Sequence, residues 1–299
     1  MIQDSSEIHF ISVIVPVLNN PNGIGRLLSA LTSQTYPPDQ LEILVVDNGS
    51  SDATPEIVRS HISQKPHRIR LLEQTQIKGS YAARNLAIPE SRGDLLVFID
   101  ADCDPISCWL ENGVNTLMKE QADLAGGKVT FTYAGPTPSA AERIDARTNM
   151  QMEQDILNRG VTKTANLFVR KRLFDELGLF RDDLKSGGDV EWTSRATAKG
   201  YKLVYASGAE IRHPARGWRE LFIKQVRVGR GQILQRTGKR LSTGTNVLKT
   251  GRSLQSVISR GDETFFGKTA MLIALLWARM GTLVGRLQAT VEQLARKNR

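Results

Sequence analysis

Two carboxylates stand one residue apart at the end of an apolar stretch. Asp100 and Asp102 follow residues 94–99 (DLLVFI), which predict a buried strand. Hard divalent cations take oxygen ligands, and an ion held by one or two carboxylates completes its coordination with water and substrate phosphates. The pair therefore indicates a metal site for a phosphate-bearing substrate. The alternative is that the acids cap the next helix, whose N-terminus attracts negative charge.

Polar side chains also follow two earlier predicted strands. Asn19 comes after the β-branched run 11–17 (ISVIVPV), and Asp47 comes after 41–46 (LEILVV). In an open parallel sheet, ligands bind in the crevice beyond the carboxyl ends of the strands. We therefore expect Asn19, Asp47 and Asp100 to lie at one edge of the sheet. Asp52, at the end of the same polar loop, could instead cap the following helix.

The elements that would position these residues alternate along the first hundred residues. Helices are predicted at 24–33, 54–63 and 80–87, and a further strand is predicted at 69–73. The resulting β-α-β-α-β-α-β order predicts an α/β fold with a mostly parallel sheet and helices on both faces. Farther along, the sequence predicts a helix over 105–120, a strand over 124–133 and a long helix-prone stretch over 138–158.

Charge divides the chain near residue 212. Of 40 Lys and Arg and 31 Asp and Glu, residues 1–211 hold 22 and 27, a net charge of −5, whereas residues 212–299 hold 18 and 4, a net charge of +14. A basic segment can meet nucleic acid, an anionic membrane surface or a phosphorylated substrate. The acidic crevice and the shortage of aromatic residues among the basic ones argue against nucleic acid.

The cysteines and the apolar segments bear on where the protein works. Cys103 and Cys108 provide neither a disulfide framework nor a four-ligand zinc pattern, so we expect reduced thiols in the cytoplasm. Residues 1–10 lack the features of a secretory signal. The apolar segment 270–285 contains Arg279 and is shorter than a typical membrane span. We expect this segment to lie on the inner membrane surface, with a core or oligomer helix and a true span as alternatives.

Five stretches of the sequence occur in an order and at intervals that match a known enzyme family. They are VIVPVLN at 13–19, LVVDNGSSD at 44–52, KG at 78–79 with ARN at 83–85, DAD at 100–102, and GGDVEW at 187–192. No single stretch is specific, but the ordered set is. Over residues 11–213 the chain resembles the family 2 inverting nucleotide-sugar glycosyltransferases of the GT-A fold. The resemblance implies a Rossmann-like sheet flanked by helices.

The resemblance also implies which residues contact the nucleotide. Asp47 would accept a hydrogen bond from the N–H of the nucleobase imide, because an ionised carboxylate is purely an acceptor. The alternative role of Asp47 is an Asx turn in a Gly/Ser loop. Lys78 and Arg84 would lie near the nucleotide, and their alternative is ordinary solvated charge. The residues placed at the nucleotide are Pro16, Asn19, Asp47, Lys78, Arg84 and Asp100.

The implied metal ligands are Asp102 and His213, which would hold Mn²⁺ or Mg²⁺ against the diphosphate of the donor. A metal there neutralises charge as the diphosphate leaves. Asp104 could assist, although a role in capping the helix opened by Pro105 is the stronger expectation. A lone histidine is more often structural, so the interval that separates His213 from the GGDVEW stretch supports its assignment.

Asp189 aligns with the catalytic base of the family, which removes a proton from the acceptor hydroxyl. The family usually has Glu-Asp at this point, whereas this chain has Gly188-Asp189. The supporting acid is therefore missing unless Glu191 compensates. Trp192 could form a platform for the acceptor sugar, and core packing is an equal alternative. Glu191 and Trp192 are thus the candidate acceptor-binding residues.

The resemblance predicts transfer of a sugar from a UDP- or GDP-linked donor to a hydroxyl of a glycan or lipid-linked acceptor by single displacement. Residues 1–213 would form the GT-A domain, with 11–105 binding the nucleotide and 106–213 the acceptor. Residues 214–299 would form a basic helical C-terminal extension against an anionic membrane. A nucleotidyltransferase would more naturally carry a Gly-rich phosphate loop, which residues 16–22 do not form. Gly188 leaves a non-catalytic relative as the main alternative.

Overall fold

The computed structural model describes residues 9–65, 68–236 and 265–297. The prediction about a secretory signal therefore lies largely outside the described residues, as do many of the basic residues of the C-terminal extension. The described strands form one eight-stranded sheet in the order β3-β2-β1-β4-β7-β6-β8-β5. They are β1 (Ile11–Val17), β2 (Leu41–Asp47), β3 (Ile69–Glu73), β4 (Leu95–Ile99), β5 (Asp104–Pro105), β6 (Leu124–Thr132), β7 (Asn166–Arg170) and β8 (Leu203–Pro214).

The sheet has a parallel half and an antiparallel half. β1 pairs in parallel with β2 and β4, and β2 pairs in parallel with β3, as the sequence predicts. β7 runs antiparallel to both β4 and β6, and β5 runs antiparallel to β8. The prediction of a mostly parallel sheet therefore holds for the half formed by β1 to β4, and the complete sheet is mixed. β7, which the sequence analysis missed, extends the sheet because its buried residues pair along the whole of β4.

Ten helices are described, together with a 3₁₀ turn at Pro38–Gln40. Two begin with a side-chain cap: Asn20 accepts from the Gly23 N–H before the first helix, and Ser139 forms a capping box with Glu142 before the fifth. The helices are α1 (Pro21–Thr32), α2 (Thr54–Gln64), α3 (Ser80–Glu90), α4 (Trp109–Lys119), α5 (Ala140–Thr148), α6 (Met152–Arg159), α7 (Arg172–Leu177), α8 (Gly188–Ala198), α9 (Trp218–Arg236) and α10 (Phe265–Lys297).

The helix-prone stretch 138–158 forms two helices with a break between them. Met150 has a φ of 51°, a left-handed backbone conformation that ends helical hydrogen bonding. The break also coincides with a boundary between two compact units of the chain. Residues up to Thr130, Met152–Asp183 and Gly188–His213 form the first unit. Phe131–Gln151, Leu184–Gly187 and the described residues after His213 form the second.

The core of the first unit lies on the two faces of the parallel strands. Every residue of β1, β2 and β4 is buried. Helices on both sides explain why these strands carry continuous apolar runs rather than alternating ones. The buried Glu42 carboxylate accepts hydrogen bonds from Ser12 and from the backbone N–H and guanidinium of Arg92. A rigid central sheet therefore supports the loops that follow its strands.

The second unit is helical and has its own apolar core. Residues of α5, α9 and α10 form this core, with Ile144, Leu221, Met271 and Leu275 among its buried members. α9 and α10 approach closely through glycines: a Cβ built on Gly285 would lie 1.9 Å from the Val226 carbonyl oxygen, and one on Gly229 would lie 2.1 Å from that of Thr282. The two helices thus pack backbone against backbone.

α10 also carries an exposed apolar face. Within Thr269–Ala295, an 18-residue window has a mean hydropathy of 1.4 and is 33% buried, so by length and composition this part of α10 could cross a membrane. A core helix passes the same test, and α10 packs against α5 and α9. The exposed residues recur at helical spacing and include Ile273, Leu276, Met280, Leu283, Leu287, Val291 and Leu294.

Candidate active site

The loops after β1 and β2 are tied together by side-chain hydrogen bonds. Asn19 adopts a left-handed conformation with φ of 50°, donates its backbone N–H to Ser50 Oγ and accepts at Oδ1 from the Ser51 N–H. Pro16 lies buried in β1 beside Val46 of β2. The structure therefore brings Asn19 to the Asp47 loop, as expected. Pro16 lies within the sheet and not in this loop.

Asp47 forms the Asx turn and still has an oxygen to offer. Its Oδ2 accepts from the backbone N–H groups of Gly49 and Ser50 at 3.1 and 3.0 Å. Its Oδ1 is buried and has no hydrogen-bond partner among the described residues. A buried acceptor without a donor is costly, so such an atom in a native fold calls for an external partner. The turn fixes the carboxylate with one oxygen ready for an N–H donor.

Asn48 organises the loop that carries Lys78. Its side-chain amide donates to the carbonyl oxygens of Gln74 and Ile77, and its Oδ1 accepts from the Gly79 N–H. Lys78 is exposed on this loop, immediately before α3. A buried amide next to Asp47 thus holds a cation at the same edge of the sheet. The sequence analysis quoted Asn48 only as part of a motif and did not assign it this role.

Asp100, at the end of β4, is paired with Arg84 of α3. Arg84 Nη2 lies 2.5 Å from Asp100 Oδ1, and the arginine is 2% exposed whereas the Asp100 side chain is 32% exposed. The buried Arg84 Nε has no hydrogen-bond partner among the described residues. Arg84 is therefore not a solvated surface charge. It orients Asp100, which keeps part of its carboxylate open to a ligand.

Asp102, Cys103 and His213 bring one potential metal-ligand atom each to within 4.8 Å of one another. His213 Nε2 lies 3.6 Å from Asp102 Oδ2, and the histidine is 1% exposed. The short strand β5 holds the two segments together because it pairs with β8 next to His213. Carboxylate and imidazole fit a divalent ion, and Asp102 is open enough to share that ion with a diphosphate. Cys103 was not among the predicted ligands.

Asp104 and Asp52 take structural roles. Asp104 lies in β5 opposite Arg212, 3.6 Å from its guanidinium, so it does not cap a helix as expected. The reason is that β5 precedes α4, which begins only at Trp109. Asp52 Oδ1 accepts from the backbone N–H and the hydroxyl of Thr54, the first residue of α2, so it supports the start of the helix, although the N-cap position itself is Ala53.

Asp189 lies in the first turn of α8 and is held by three donors. Tyr81 Oη donates to its Oδ1 at 3.0 Å, the Val190 N–H donates to the same oxygen at 2.9 Å, and the Thr164 N–H donates to Oδ2 at 3.3 Å. Burial, followed by the charge of Asp189, raises the pKa of the Tyr81 phenol above its ordinary value. The phenol therefore stays protonated and remains a donor to the carboxylate.

Tyr81 also explains the glycine that replaces the acid usual in the family. A Cβ built on Gly188 would lie 2.9 Å from Tyr81 Cε2, so the ring occupies the space that a larger residue would need. Glu191 does not fill this role, because its carboxylate pairs with Arg195 at 3.0 Å. The support for Asp189 thus comes from α3. No sequence pattern marked Tyr81, although the unexpected Gly188 was a signal that something else fills the position.

The structure corrects the prediction that Trp192 is a platform for the acceptor. Its side chain is fully buried. The ring stacks on Phe174 with centroids 4.4 Å apart, and Nε1 donates to the Gly178 carbonyl oxygen. Trp192 lies three residues after Asp189, almost one turn farther along α8, where the helix packs against the buried rings of Phe174 and Phe180. Trp192 therefore anchors α8 and does not offer a sugar-binding surface.

One helix connects the groups on both sides of the candidate site. Tyr81 and Arg84 lie one turn apart on α3, with the guanidinium 5.7 Å from the phenol ring centroid. Tyr81 contacts Asp189 and Arg84 contacts Asp100. The predicted base, Asp189, and Asp100 of the predicted nucleotide site are therefore contacted by the same helix. This arrangement can bind a nucleotide, hold a divalent ion beside it and present a carboxylate to an incoming hydroxyl.

Known proteins resemble this chain in sequence. Residues 12–178 match the model of Glycosyl transferase family 2. The chain is 49% identical over 229 residues to glycosyltransferase AglE of Haloferax volcanii, in an alignment that covers 77% of this chain and 75% of that protein.

Solved structures share the fold at lower identity. The mannosyltransferase PcManGT of Pyrobaculum calidifontis, in complex with GDP-Man and Mn²⁺, aligns with a TM-score of 0.67 and 19% identity, covering 96% of this chain and 88% of its own. S. aureus TarS 1–349, in complex with UDP-GlcNAc, aligns with a TM-score of 0.56 and 18% identity, covering 97% and 92%. The match to the family model and the identity to AglE show that this chain is a glycosyltransferase of the GT-A fold and belongs to glycosyl transferase family 2.

Proposed function

We propose that the chain transfers a sugar from a UDP- or GDP-linked donor to a hydroxyl of a glycan or lipid-linked acceptor, with inversion at the anomeric carbon. The observation that carries the donor assignment is Asp47 Oδ1, a buried acceptor without a donor in the described part of the chain. Uracil and guanine each present an imide-type N–H, and a fixed carboxylate oxygen is a fitting partner. GDP-Man and UDP-GlcNAc are bound by the two solved neighbours.

Each site residue has a defined part in this reaction. Asp189 accepts the proton of the acceptor hydroxyl while that oxygen bonds to the anomeric carbon and the bond from the sugar to the diphosphate breaks. Tyr81 and the Thr164 N–H keep the carboxylate oriented. Asp100, backed by Arg84, binds the ribose. Asp102 and His213 would hold Mn²⁺ or Mg²⁺, which supplies positive charge to the departing diphosphate.

Calorimetric titration of the purified protein with UDP, GDP, CDP and ADP in the presence of Mn²⁺ tests the donor site. We expect one imide-bearing nucleotide to bind best, and we expect Asp47→Asn to weaken it about 10- to 100-fold, because a hydrogen bond to a charged group contributes about 1.5–3 kcal/mol. Asp102→Ala should remove the Mn²⁺ dependence. Asp175→Asn, at an exposed site on α7, is the control.

The outcome that contradicts the proposal is equal affinity for all four nucleotides, or none at all. Absence of binding would favour a non-catalytic partner protein, the alternative that Gly188 raised. For the transfer step, Asp189→Asn should reduce turnover by at least about 100-fold, as expected when a general base is lost. Turnover within a few-fold of the parent would remove Asp189 from the mechanism.

We also propose that the protein works in the cytoplasm and rests on the inner membrane surface through the second unit. The exposed apolar face of α10 includes Leu283 and Leu287, and exposed Arg286 and Arg227 supply positive charge on α10 and α9. Apolar side chains beside cations suit the interface of an anionic membrane. Co-sedimentation with anionic vesicles should be lost in Leu283→Glu/Leu287→Glu and retained in Gln288→Glu, and unchanged binding of the double variant would exclude this face.

A further inference from the structure

We propose that Cys103 is a third protein ligand of the candidate metal site and gives it a preference for thiophilic divalent ions such as Zn²⁺ and Cd²⁺. The inference shares Asp102 and His213 with the proposed function, and to that extent it rests on the same site. It concerns a residue to which neither the motifs nor the proposed reaction gives a role. It also changes which ions the site should accept.

The strand register places Cys103 next to His213. β5 and β8 pair antiparallel with Asp104 opposite Arg212 and Pro105 opposite Ile211. Continued by one residue, this register sets Cys103 opposite His213. Side chains at directly opposed antiparallel positions point to the same face, with Cβ atoms about 4.5–5.5 Å apart. The approach of the thiol and the imidazole is therefore built into the backbone pairing.

The distances between the ligand atoms suit a common ion. Cys103 Sγ lies 3.9 Å from Asp102 Oδ1, and His213 Nε2 lies 3.6 Å from Asp102 Oδ2. Zinc bonds of about 2.3 Å to sulfur and about 2.0–2.2 Å to nitrogen or oxygen, in tetrahedral geometry, separate ligand atoms by about 3.3–3.7 Å. The two distances run to different oxygens of Asp102, and one ligand atom from each residue lies within 4.8 Å of the others, so side-chain rotations would be needed to bring the three residues around one ion.

The burial of the three residues leaves one side open. Cys103 and His213 are 2% and 1% exposed, whereas the side chain of Asp102 is 37% exposed. Three protein ligands with one accessible direction resemble catalytic zinc sites, which keep a position for water or substrate. A diphosphate oxygen could occupy that position in the present protein.

The sulfur ligand determines the selectivity. Mg²⁺ and Mn²⁺ favour oxygen ligands, whereas thiolates favour Zn²⁺ and other softer ions. When Cys103 binds such an ion, its thiol proton passes to solvent. Zn²⁺ already binds more tightly than Mn²⁺ to most sites. The specific expectation is therefore that removal of the sulfur weakens Zn²⁺ and Cd²⁺ binding far more than Mn²⁺ binding.

The test uses the full chain without an affinity tag and without nucleotide. Calorimetric titrations with Zn²⁺, Cd²⁺ and Mn²⁺ compare the parent with Cys103→Ser. Mutation of an outer-shell partner of a metal ligand typically lowers metal affinity about 10- to 100-fold. Removal of a ligand itself should cost at least as much for Cd²⁺, whereas we expect less than about a threefold loss for Mn²⁺. Cys108→Ser, which alters the other thiol, is the matched control and should change neither affinity.

A spectroscopic measurement on the parent keeps the inference testable if Cys103→Ser does not fold. Co²⁺ bound through sulfur shows a charge-transfer absorption band that oxygen and nitrogen ligands do not produce. We expect this band in the parent and in Cys108→Ser. Its absence from the parent, or equal Cd²⁺ affinity in the parent and Cys103→Ser, overturns the inference. Nucleotide binding with Mn²⁺ but without this band would overturn the metal-ligand role of Cys103 and leave the proposed function intact. The band without nucleotide binding would support the role of Cys103 and contradict the proposed function.

Discussion

Tyr81 and Arg84 connect two carboxylates that sequence motifs place far apart. Each side chain is buried on α3, and each contacts one acid, Asp189 or Asp100. Because one helix contacts both acids, a shift of α3 would move Asp189 and Asp100 together. In the proposed reaction Tyr81 is a positioning residue, since it would act on the substrate only through Asp189.

We expect Tyr81→Phe to lower kcat about 10- to 100-fold with little change in KM for the donor. The variant keeps the ring against Gly188 but removes the hydroxyl that orients Asp189, and small misplacements of a reacting group have effects of this size. The measurement is steady-state kinetics over a range of donor concentrations. Unequal effects on kcat and KM separate positioning from general loss of structure.

The control for Tyr81→Phe is Tyr36→Phe. Tyr36 is also buried, and its hydroxyl donates to the His9 carbonyl oxygen. Removing either hydroxyl costs about 1 kcal/mol of unfolding free energy. If both variants lowered kcat equally, the effect of Tyr81 would be one of stability, and its assignment as a positioning residue would be wrong.

The sequence could identify acids at strand ends more readily than the residues that support them. Asp47, Asp100 and Asp102 were predictable because each follows an apolar strand, and the structure places each in the polar surroundings expected of a binding residue. The role of Tyr81 was not predictable, since it depends on packing against Gly188, which lies far along the chain. For Trp192 the sequence left a sugar platform and core packing as equal alternatives, because only the fold shows which side of α8 faces the core.

At the level of elements, the parallel half of the sheet and the antiparallel strand β6 were predicted well, whereas β5 and β7 were not. β1, β2 and β4 carry continuous apolar runs that periodicity recognises. β5 has only two residues, and β7 has five without a distinctive pattern, so both exist because neighbouring strands offer partners. Strand direction is likewise a property of the assembled sheet, which local sequence does not encode.

The pairing of α9 with α10 provides a prediction about helix packing. We expect Gly285→Ala to lower the free energy of unfolding by about 1–3 kcal/mol, because a methyl group 1.9 Å from the Val226 carbonyl oxygen forces the helices apart. Thermal unfolding followed by circular dichroism measures the change. Gly217→Ala, where a Cβ meets nothing within 4 Å, is the control. Equal melting temperatures for the two variants would contradict the close packing.

At the scale of the whole molecule, the basic C-terminal part of the chain is paired with a buried carboxylate inside the second unit. Asp145 is fully buried there and accepts from Arg216 and Lys224, each at 3.3 Å, as well as from the Arg216 N–H. Burial alone would raise the pKa of Asp145. The two cations outweigh it and hold the pKa below the ordinary value of 3.8. One carboxylate thus anchors a segment rich in positive charge.

Asp145 should make the stability of the protein sensitive to acid. Because its pKa is lowered in the folded state, its contribution is complete above the ordinary value of 3.8 and is lost as the pH falls through the folded value. We expect Asp145→Asn to cost about 3 kcal/mol at pH 7, since it leaves two cations without their partner. The difference from the parent should shrink near pH 3. Unfolding titrations at both pH values measure it, with Asp175→Asn as the exposed control, and a difference independent of pH would refute the ion pairing.

The short ladder between β5 and β8 has a consequence for biosynthesis. A ribosome makes the chain from its N-terminus at about 5–20 residues per second, so the strands that carry Asp47 and Asp100 emerge well before β8. The two-residue pairing with β5 brings His213 to Asp102 only after β8 has left the ribosome. A nascent chain halted before His213 lacks one residue of the candidate metal cluster. The last residues of the first unit therefore complete that cluster only late in synthesis.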